Sequence, residues 1–168
     1  MKLRFSTLDI VALLPELNER CQGLRVANVY NVNNKTYLIK LSKSTGDVKE
    51  EDEDTNKNVL LIESGCRLHL TEFDWPKEPT PNGFSMKLRK HLKNKRIEHI
   101  KQFGLDRIID IQFGIRDAAY HIIIELYNRG NILITGKFLA FELDNVAIIW
   151  FDYNQLINFP PQTTTTPF

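Results

Sequence analysis

Cysteine is scarce in this chain: Cys21 and Cys66 are the whole supply. Two thiols cannot build a disulfide framework or a four-cysteine zinc site. Long apolar runs are missing too. The longest, Val146 to Phe151, falls far short of the roughly 20 residues that cross a bilayer. Met1-Lys2-Leu3-Arg4-Phe5 is followed closely by Asp9, which leaves no room for the apolar core of a signal peptide. The expectation is a soluble protein of a reducing compartment with no membrane segment. Nor does one sign of charge dominate. Lys and Arg number 22 against 21 Asp and Glu, a net charge of +1. That argues against a uniformly basic protein, but not against a nucleic-acid binder whose charges are segregated. Catalytic signatures are equally thin, with no P-loop, no Gly-x-Ser-x-Gly and no His-Glu-x-x-His. His69, His91, His99 and His121 fall at spacings unlike those of metal-ligand sets. We therefore expect no enzyme activity, no metal and no cofactor.

What is present is enough for one core. A chain of 168 residues can bury roughly 70% of the surface its unfolded form exposes. Hydrophobic residues at 42% and charged residues at 26% are ordinary globular proportions. The charge is divided into opposed blocks. Asp47 to Asp54 carries six acids and one Lys, between apolar segments at Tyr37–Leu41 and Val59–Ile62. Like charges that dense repel and stay hydrated, so residues 43–57 read as a flexible acidic loop. Lys87 to Arg96 carries six Lys and Arg, one His and no acid.

Periodicity places the elements. Ser6 or Thr7 can cap a helix in which Ile10, Leu13, Leu14 and Leu17 follow the i, i+3, i+4, i+7 stripe. Pro15 lies inside it and removes one backbone donor. Leu24–Asn31 and Thr36–Leu41 read as a hairpin about Asn33-Asn34, and Val59–Ser64 with Arg67–Thr71 as a second about Gly65. Pro76, Pro79 and Pro81 stiffen the next loop. Gly83–Lys95 predicts a second helix, with Phe84, Leu88, His91 and Leu92 on one side and Lys87, Arg89, Lys90 and Lys93 on the other. Three further strands are expected: Ile97–Phe103, a second with Ile109, Ile111 and Phe113 alternating with Asp110 and Gln112, and a third with Tyr120, Ile122, Ile124 and Leu126 on one face. After a turn at Asn128–Asn131 comes Ile132–Ile134. Two helices among about eight short strands predict an α+β fold, a largely antiparallel sheet or sandwich. Phe138 to Phe168 has no Lys or Arg and ends in prolines and threonines, with one apolar piece at Ala147–Phe151. We read 1–136 as the domain and 137–168 as a divergent, partly disordered tail.

The residue types leave the site open. A one-sided cationic helix can contact phosphates with release of counterions, or can simply be a solvated face. Asp9 stands three residues after Ser6, the spacing of a capping box. Asp106-Arg107 can be a surface ion pair, or can present an acceptor beside a planar five-donor fork.

A run of motifs adds to this. Arg4-Phe5-Ser6-Thr7-Leu8-Asp9, Gly23-Leu24-Arg25-Val26-Ala27-Asn28-Val29-Tyr30 and Asn34-Lys35-Thr36-Tyr37-Leu38 resemble the start of the NFACT family. So do Glu63-Ser64-Gly65-Cys66-Arg67-Leu68-His69, Met86-Lys87-Leu88-Arg89-Lys90-His91-Leu92, Gly104-Leu105-Asp106-Arg107-Ile108 and Glu125-Leu126-Tyr127-Asn128-Arg129-Gly130-Asn131. The resemblance covers about residues 1–136. It implies flanking helices on a β-sandwich similar to the N-terminal domain of formamidopyrimidine-DNA glycosylases. It also implies a module that binds tRNA and the large ribosomal subunit. In full-length members that module serves ribosome quality control: stalled subunits with peptidyl-tRNA are recognised, aminoacyl-tRNA is recruited for mRNA-independent C-terminal tailing, and a listerin-type ubiquitin ligase is assisted. By the same resemblance Asp9, Asp106 and Arg107 are expected to bind tRNA. Lys87, Arg89, Lys90 and Lys93 are expected to contact RNA backbone. The implied location is the cytoplasm, with the nucleus as a second site, and neither membrane nor DNA is an expected partner. The acidic loop, Pro15 and the tail depart from the family pattern, as in a truncated product.

The alternatives are a protein–protein interaction module or a truncated, non-functional variant. A DNA glycosylase would need the N-terminal Pro and Glu of that chemistry, and Lys2 and Leu3 stand there instead.

Overall fold

The first turn after Ser6 leaves backbone donors without helical partners, and the sequence supplies its own cap. Ser6 and Asp9 close a capping box that starts α1 (Thr7–Cys21). In this computed structural model the described residues are 4–43, 57–127, 129–136, 138–143 and 146–151, the last two segments as backbone. Ile10, Leu17 and Cys21 of α1 are buried, with Leu13 and Leu14 packed against the core. Pro15 is exposed, so the donor it removes faces solvent and the helix runs on.

Two four-stranded antiparallel sheets follow. The first runs in order β1 (Arg25–Asn31), β2 (Thr36–Ser42), β3 (Lys57–Glu63), β4 (Arg67–Leu70). The second runs β5 (Ile97–Gln102), β6 (Ile108–Phe113), β7 (Tyr120–Glu125), β8 (Asn131–Thr135). Every connection joins neighbouring strands, which keeps the register local. Alternation sends Val26, Val29, Tyr37, Ile39, Leu41, Leu60, Ile62 and Leu68 of the first sheet into one core. Ile97, Ile100, Ile109, Ile111, Phe113, Ile122, Ile124, Ile132 and Ile134 of the second enter the same core. Each fully buried Leu or Ile contributes about 1.5–3 kcal/mol of transfer free energy. This is the expected α+β sandwich with flanking helices.

In chain order α2 (Gly83–Leu92) comes between the two sheets, capped by the Asn82 side chain, set against β1 and packed through Leu88 and Leu92. It is shorter than the predicted Gly83–Lys95. Lys93 is the C-cap and Asn94 takes φ 64°, which ends the helix. The Gly83–Lys95 expectation is corrected accordingly. Asp110 alternates with Ile109 and Ile111, as read from the sequence, and is fully buried on the other face of the second sheet. There its Oδ1 lies 2.9 Å from His121 Nδ1, while Asp110 Oδ2 and His99 Nε2 find no hydrogen-bond partner among the described residues.

In the tail, β9 (Phe138–Leu143) pairs antiparallel with β10 (Val146–Phe151). β10 takes in the apolar piece expected at Ala147–Phe151, and β9 is a strand the sequence did not suggest. Residues 152–168 and the acidic stretch 44–56 lie outside the described residues, and Lys57 already belongs to β3. Among the described residues, no helix is long and apolar enough to cross a membrane.

Candidate functional site

Four chain segments meet at one end of the sandwich. They are the start of α1 and the β3–β4, β5–β6 and β7–β8 turns. Phe5 N–H donates to Cys66 O at 2.8 Å, tying the entry to α1 onto the β3–β4 turn. Gly65 N–H reaches Glu125 O at 3.3 Å, and Leu126 N–H reaches Arg107 O at 2.8 Å. Thr7 Oγ1 donates to Leu105 O at 3.2 Å, joining α1 to the β5–β6 turn. The β3–β4 and β7–β8 turns touch backbone to backbone, which only glycine permits. Gly65 and Gly130 have φ of 74° and 65°, and a Cβ on Gly65 would lie 2.6 Å from Tyr127 O. A Cβ on Gly130 would run into the Gly65 backbone.

Asp9 does what its spacing suggested. Its Oδ2 accepts from Ser6 N–H at 2.6 Å and from Ser6 Oγ at 2.7 Å. The carboxylate is therefore fixed at the positive end of α1. Asp106 and Arg107 lie in the turn just ahead of β6 rather than in the strand. Asp106 N–H donates to Phe103 O at 2.9 Å, and Gln102 Nε2 donates to Asp106 O at 2.6 Å. The Asp106 carboxylate uses one oxygen internally: Oδ1 accepts from Arg107 N–H at 3.1 Å and from the Tyr127 hydroxyl. The Arg107 guanidinium lies over the Tyr127 ring, 5.1 Å from its centroid. The hydrogen bond to Asp106 pushes the Tyr127 pKa up. Thus Asp106 and Arg107 do not pair side chain to side chain; Tyr127 holds both. Asp106 Oδ2 and the guanidinium N–H groups have no partner among the described residues.

Sequence reasoning missed Tyr127, although it stands inside the Glu125–Asn131 motif. The only available signal was a tyrosine placed where an interior strand gives way to a turn.

The basic helix is separate from this corner. It starts beside the end of β1, where Asn82 N–H and Ser85 Oγ both donate to Asn31 Oδ1, at 3.2 and 3.0 Å. It ends near the β6–β7 turn, where Lys95 Nζ donates to Ala118 O at 2.7 Å and sits over the Tyr120 ring. That turn and Arg107 are at opposite ends of β6, roughly 20 Å apart at about 3.3 Å per residue. Lys87, Lys90 and Lys93 are exposed, as expected. Burial and then the charges of Lys90, Lys87 and Lys95 hold the His91 pKa below its usual value, which places these cations around one ring. Arg89 departs from the expected solvated face. It is half-buried, its Nε donates to Val29 O at 2.6 Å, and its guanidinium lies over Tyr30. Asp9, Asp106 and Arg107 are thus brought together, and the α2 lysines are not brought to them.

Among the described residues, no group of three or more His, Cys, Asp or Glu side chains is arranged to hold a metal ion. That holds for Asp110, His121 and His99 as well.

The two-sheet, two-helix sandwich is that of an NFACT N-terminal module. Residues 6–137 match the family described as NFACT N-terminal and middle domains, and the chain belongs to that family. It is 56% identical over 135 residues to "Ribosome quality control complex subunit NEMF" of Homo sapiens, covering 80% of this chain and 12% of that protein. It is 55% identical over 149 residues to the NEMF homolog of Drosophila melanogaster, covering 89% of this chain and 14% of that one. "Ribosome quality control complex subunit 2" of Saccharomyces cerevisiae is 39% identical over 139 residues, covering 82% and 12%. The chain therefore spans only about an eighth of the length of these relatives. Among solved structures, the N-terminal part of a fibronectin/fibrinogen-binding protein from Streptococcus suis superposes with a TM-score of 0.67 at 22% identity, covering 79% of this chain and 49% of that one. The N-terminal domain of the fibronectin-binding protein PavA from Streptococcus pneumoniae also gives 0.67, at 20% identity, covering 95% and 66%. At that identity the likeness is one of fold.

Proposed function

We propose that this domain is a tRNA- and large-ribosomal-subunit-binding module of ribosome quality control. The carrying observation is the corner in which Tyr127 holds both the exposed Asp106 and the half-buried Arg107 while Asp106 Oδ2 and the guanidinium N–H groups have no partner among the described residues. An acceptor beside a fork of donors suits a group with both donors and acceptors, such as a nucleobase edge or a ribose hydroxyl. A bare phosphate has no donor for the carboxylate and is repelled by it. Phosphates suit the exposed Lys87, Lys90 and Lys93 instead. Asp9 supports the corner by fixing the start of α1. The names of the relatives agree with a place in ribosome quality control. In a full-length protein the corner would position incoming aminoacyl-tRNA for mRNA-independent tailing on stalled subunits, beside a listerin-type ligase, in the cytoplasm. The domain itself performs no bond chemistry in this reading.

The test is fluorescence anisotropy with labelled tRNA, using Asp106→Ala with Arg107→Ala. Charged hydrogen bonds of this kind are worth about 1.5–3 kcal/mol, so affinity should fall about tenfold or more. Melting and co-sedimentation with large subunits should be retained. Unchanged tRNA affinity would sink the reading.

One observation favours a second reading, a protein-docking face. Leu105 is 83% exposed and Leu8 78%, on segments joined by the Thr7–Leu105 hydrogen bond. Binding that does not change with salt would favour it.

A further inference from the structure

We propose that Tyr127 is the positioning residue of the corner: a single side chain orients both Asp106 and Arg107 for RNA, without being a site of contact itself. This rests on the RNA-binding reading above. The two residues are adjacent in sequence, and adjacent side chains in a turn need not point the same way. Here Tyr127 reaches across from the β7–β8 turn and solves both orientations at once. Its hydroxyl donates to Asp106 Oδ1, which leaves Oδ2 without a partner among the described residues. Its ring lies under the Arg107 guanidinium, 5.1 Å from Cζ to the ring centroid, and the guanidinium N–H groups have no partner among the described residues. Asp106 Oδ1 also accepts from Arg107 N–H, so the carboxylate cannot swing over to the Arg107 side chain without breaking two hydrogen bonds.

Tyr127 is itself seated from both sides. The preceding Leu126 is buried and its N–H is held by Arg107 O at 2.8 Å, so the Tyr127 backbone is tied to the turn it braces. On the other side, the Tyr127 carbonyl lies where only a glycine at 65 lets the β3–β4 turn pass. Without the tyrosine, both side chains would sample several rotamers, and binding would have to order them again.

The two halves of the role can be separated. Tyr127→Phe keeps the ring under Arg107 and deletes the hydrogen bond to Asp106. Tyr127→Leu deletes both. Using the 168-residue chain and labelled tRNA, Tyr127→Phe should weaken binding about threefold to tenfold, and Tyr127→Leu should approach the loss seen for the Asp106→Ala, Arg107→Ala double variant. A structural residue would not show the next result: Tyr127→Phe introduced on top of Asp106→Ala should cost nothing further, because its partner is already gone. Thermal melts run beside the binding, and Tyr127→Phe retains the ring and so the packing.

Wild-type affinity for Tyr127→Phe and Tyr127→Leu, with the double variant impaired, would overturn the positioning role and leave the RNA reading intact. Equal affinity in all variants, the double variant included, would overturn both. Additive losses for Tyr127→Phe and Asp106→Ala would also overturn the positioning role, since they would mean Tyr127 acts through another route.

Discussion

The close passage of the β3–β4 and β7–β8 turns makes a sharp prediction about glycine. Gly65 and Gly23 both have positive φ, 74° and 86°, so an alanine at either position carries the left-handed cost of about 1–2 kcal/mol. Their surroundings differ. A Cβ on Gly23 meets nothing within 4 Å, whereas one on Gly65 would stand 2.6 Å from Tyr127 O and 3.0 Å from Gly130 N. Both of those obstacles are backbone and cannot rotate away. Forcing them apart should add about 1–3 kcal/mol, the usual range for overpacking. In a chain of this size 1 kcal/mol lowers Tm by about 2–4 °C, so Gly23→Ala should lose about 2–8 °C and Gly65→Ala about 4–20 °C. Circular-dichroism melts of the two variants side by side cancel the shared φ term and leave the passage alone. A second reading comes from tRNA affinity at a temperature where both are folded: Gly65→Ala should weaken it by displacing Tyr127, and Gly23→Ala should not. Equal Tm losses would refute the argument that the two turns are locked together.

Two further outcomes follow from the basic helix and the histidines. The triple change Lys87→Ala, Lys90→Ala, Lys93→Ala should lower the salt slope of log K for RNA by roughly 0.7–0.9 for each phosphate no longer neutralised, with little change in Tm. Arg89→Ala should do the reverse, losing Tm through the abandoned Val29 carbonyl; anisotropy titrations between low and physiological salt decide it, and an Arg89→Ala slope change as large as that of the three lysines would overturn its inward placement. His91 and His99 both have pKa values held below 6.5, chiefly by burial. The unfolded chain therefore takes up protons first. Stability should be full above about pH 6.5 and fall as pH drops below that value. Melts at pH 7.5 and 5.5 should differ, and His91→Gln with His99→Gln should shrink the difference; an undiminished difference would assign the acid loss to other groups.

What the sequence disclosed was what local periodicity encodes. The α1 stripe at Ile10 and Leu17, the capping box at Ser6 and Asp9, and the alternation of Ile109, Ile111 and Phe113 each depend on neighbours a few residues away. What it concealed depends on contacts between segments far apart along the chain. A helical wheel puts Arg89 with the lysines, because it cannot see the β1 carbonyl that Val29 offers. Alternation sets Asp110 on the face opposite Ile109 and Ile111, but it cannot see that this position is buried, with His121 two registers away on β7. The Asp106–Tyr127 bond spans two turns and leaves no periodic trace. The family resemblance supplied Asp9, Asp106 and Arg107 as candidates; their common location is a matter of topology.

The geometry also says why one domain would use two kinds of contact. Lysines on an exposed helix face attract any RNA, and the attraction weakens with salt. In the proposed function they would supply encounter and hold, with no discrimination between one RNA and another. The corner has the converse properties. Its carboxylate repels phosphate, its donors and acceptor are few, and Tyr127 and the glycine crossing fix them in place. Such an array gains little from charge density and depends on matching a particular edge. In the proposed function the two would divide the work, a folded RNA held by its backbone on the helix face while a base or ribose is tested at the corner. Removing the lysines should then weaken binding to every RNA alike, whereas removing Asp106 or Arg107 should change which RNA is preferred.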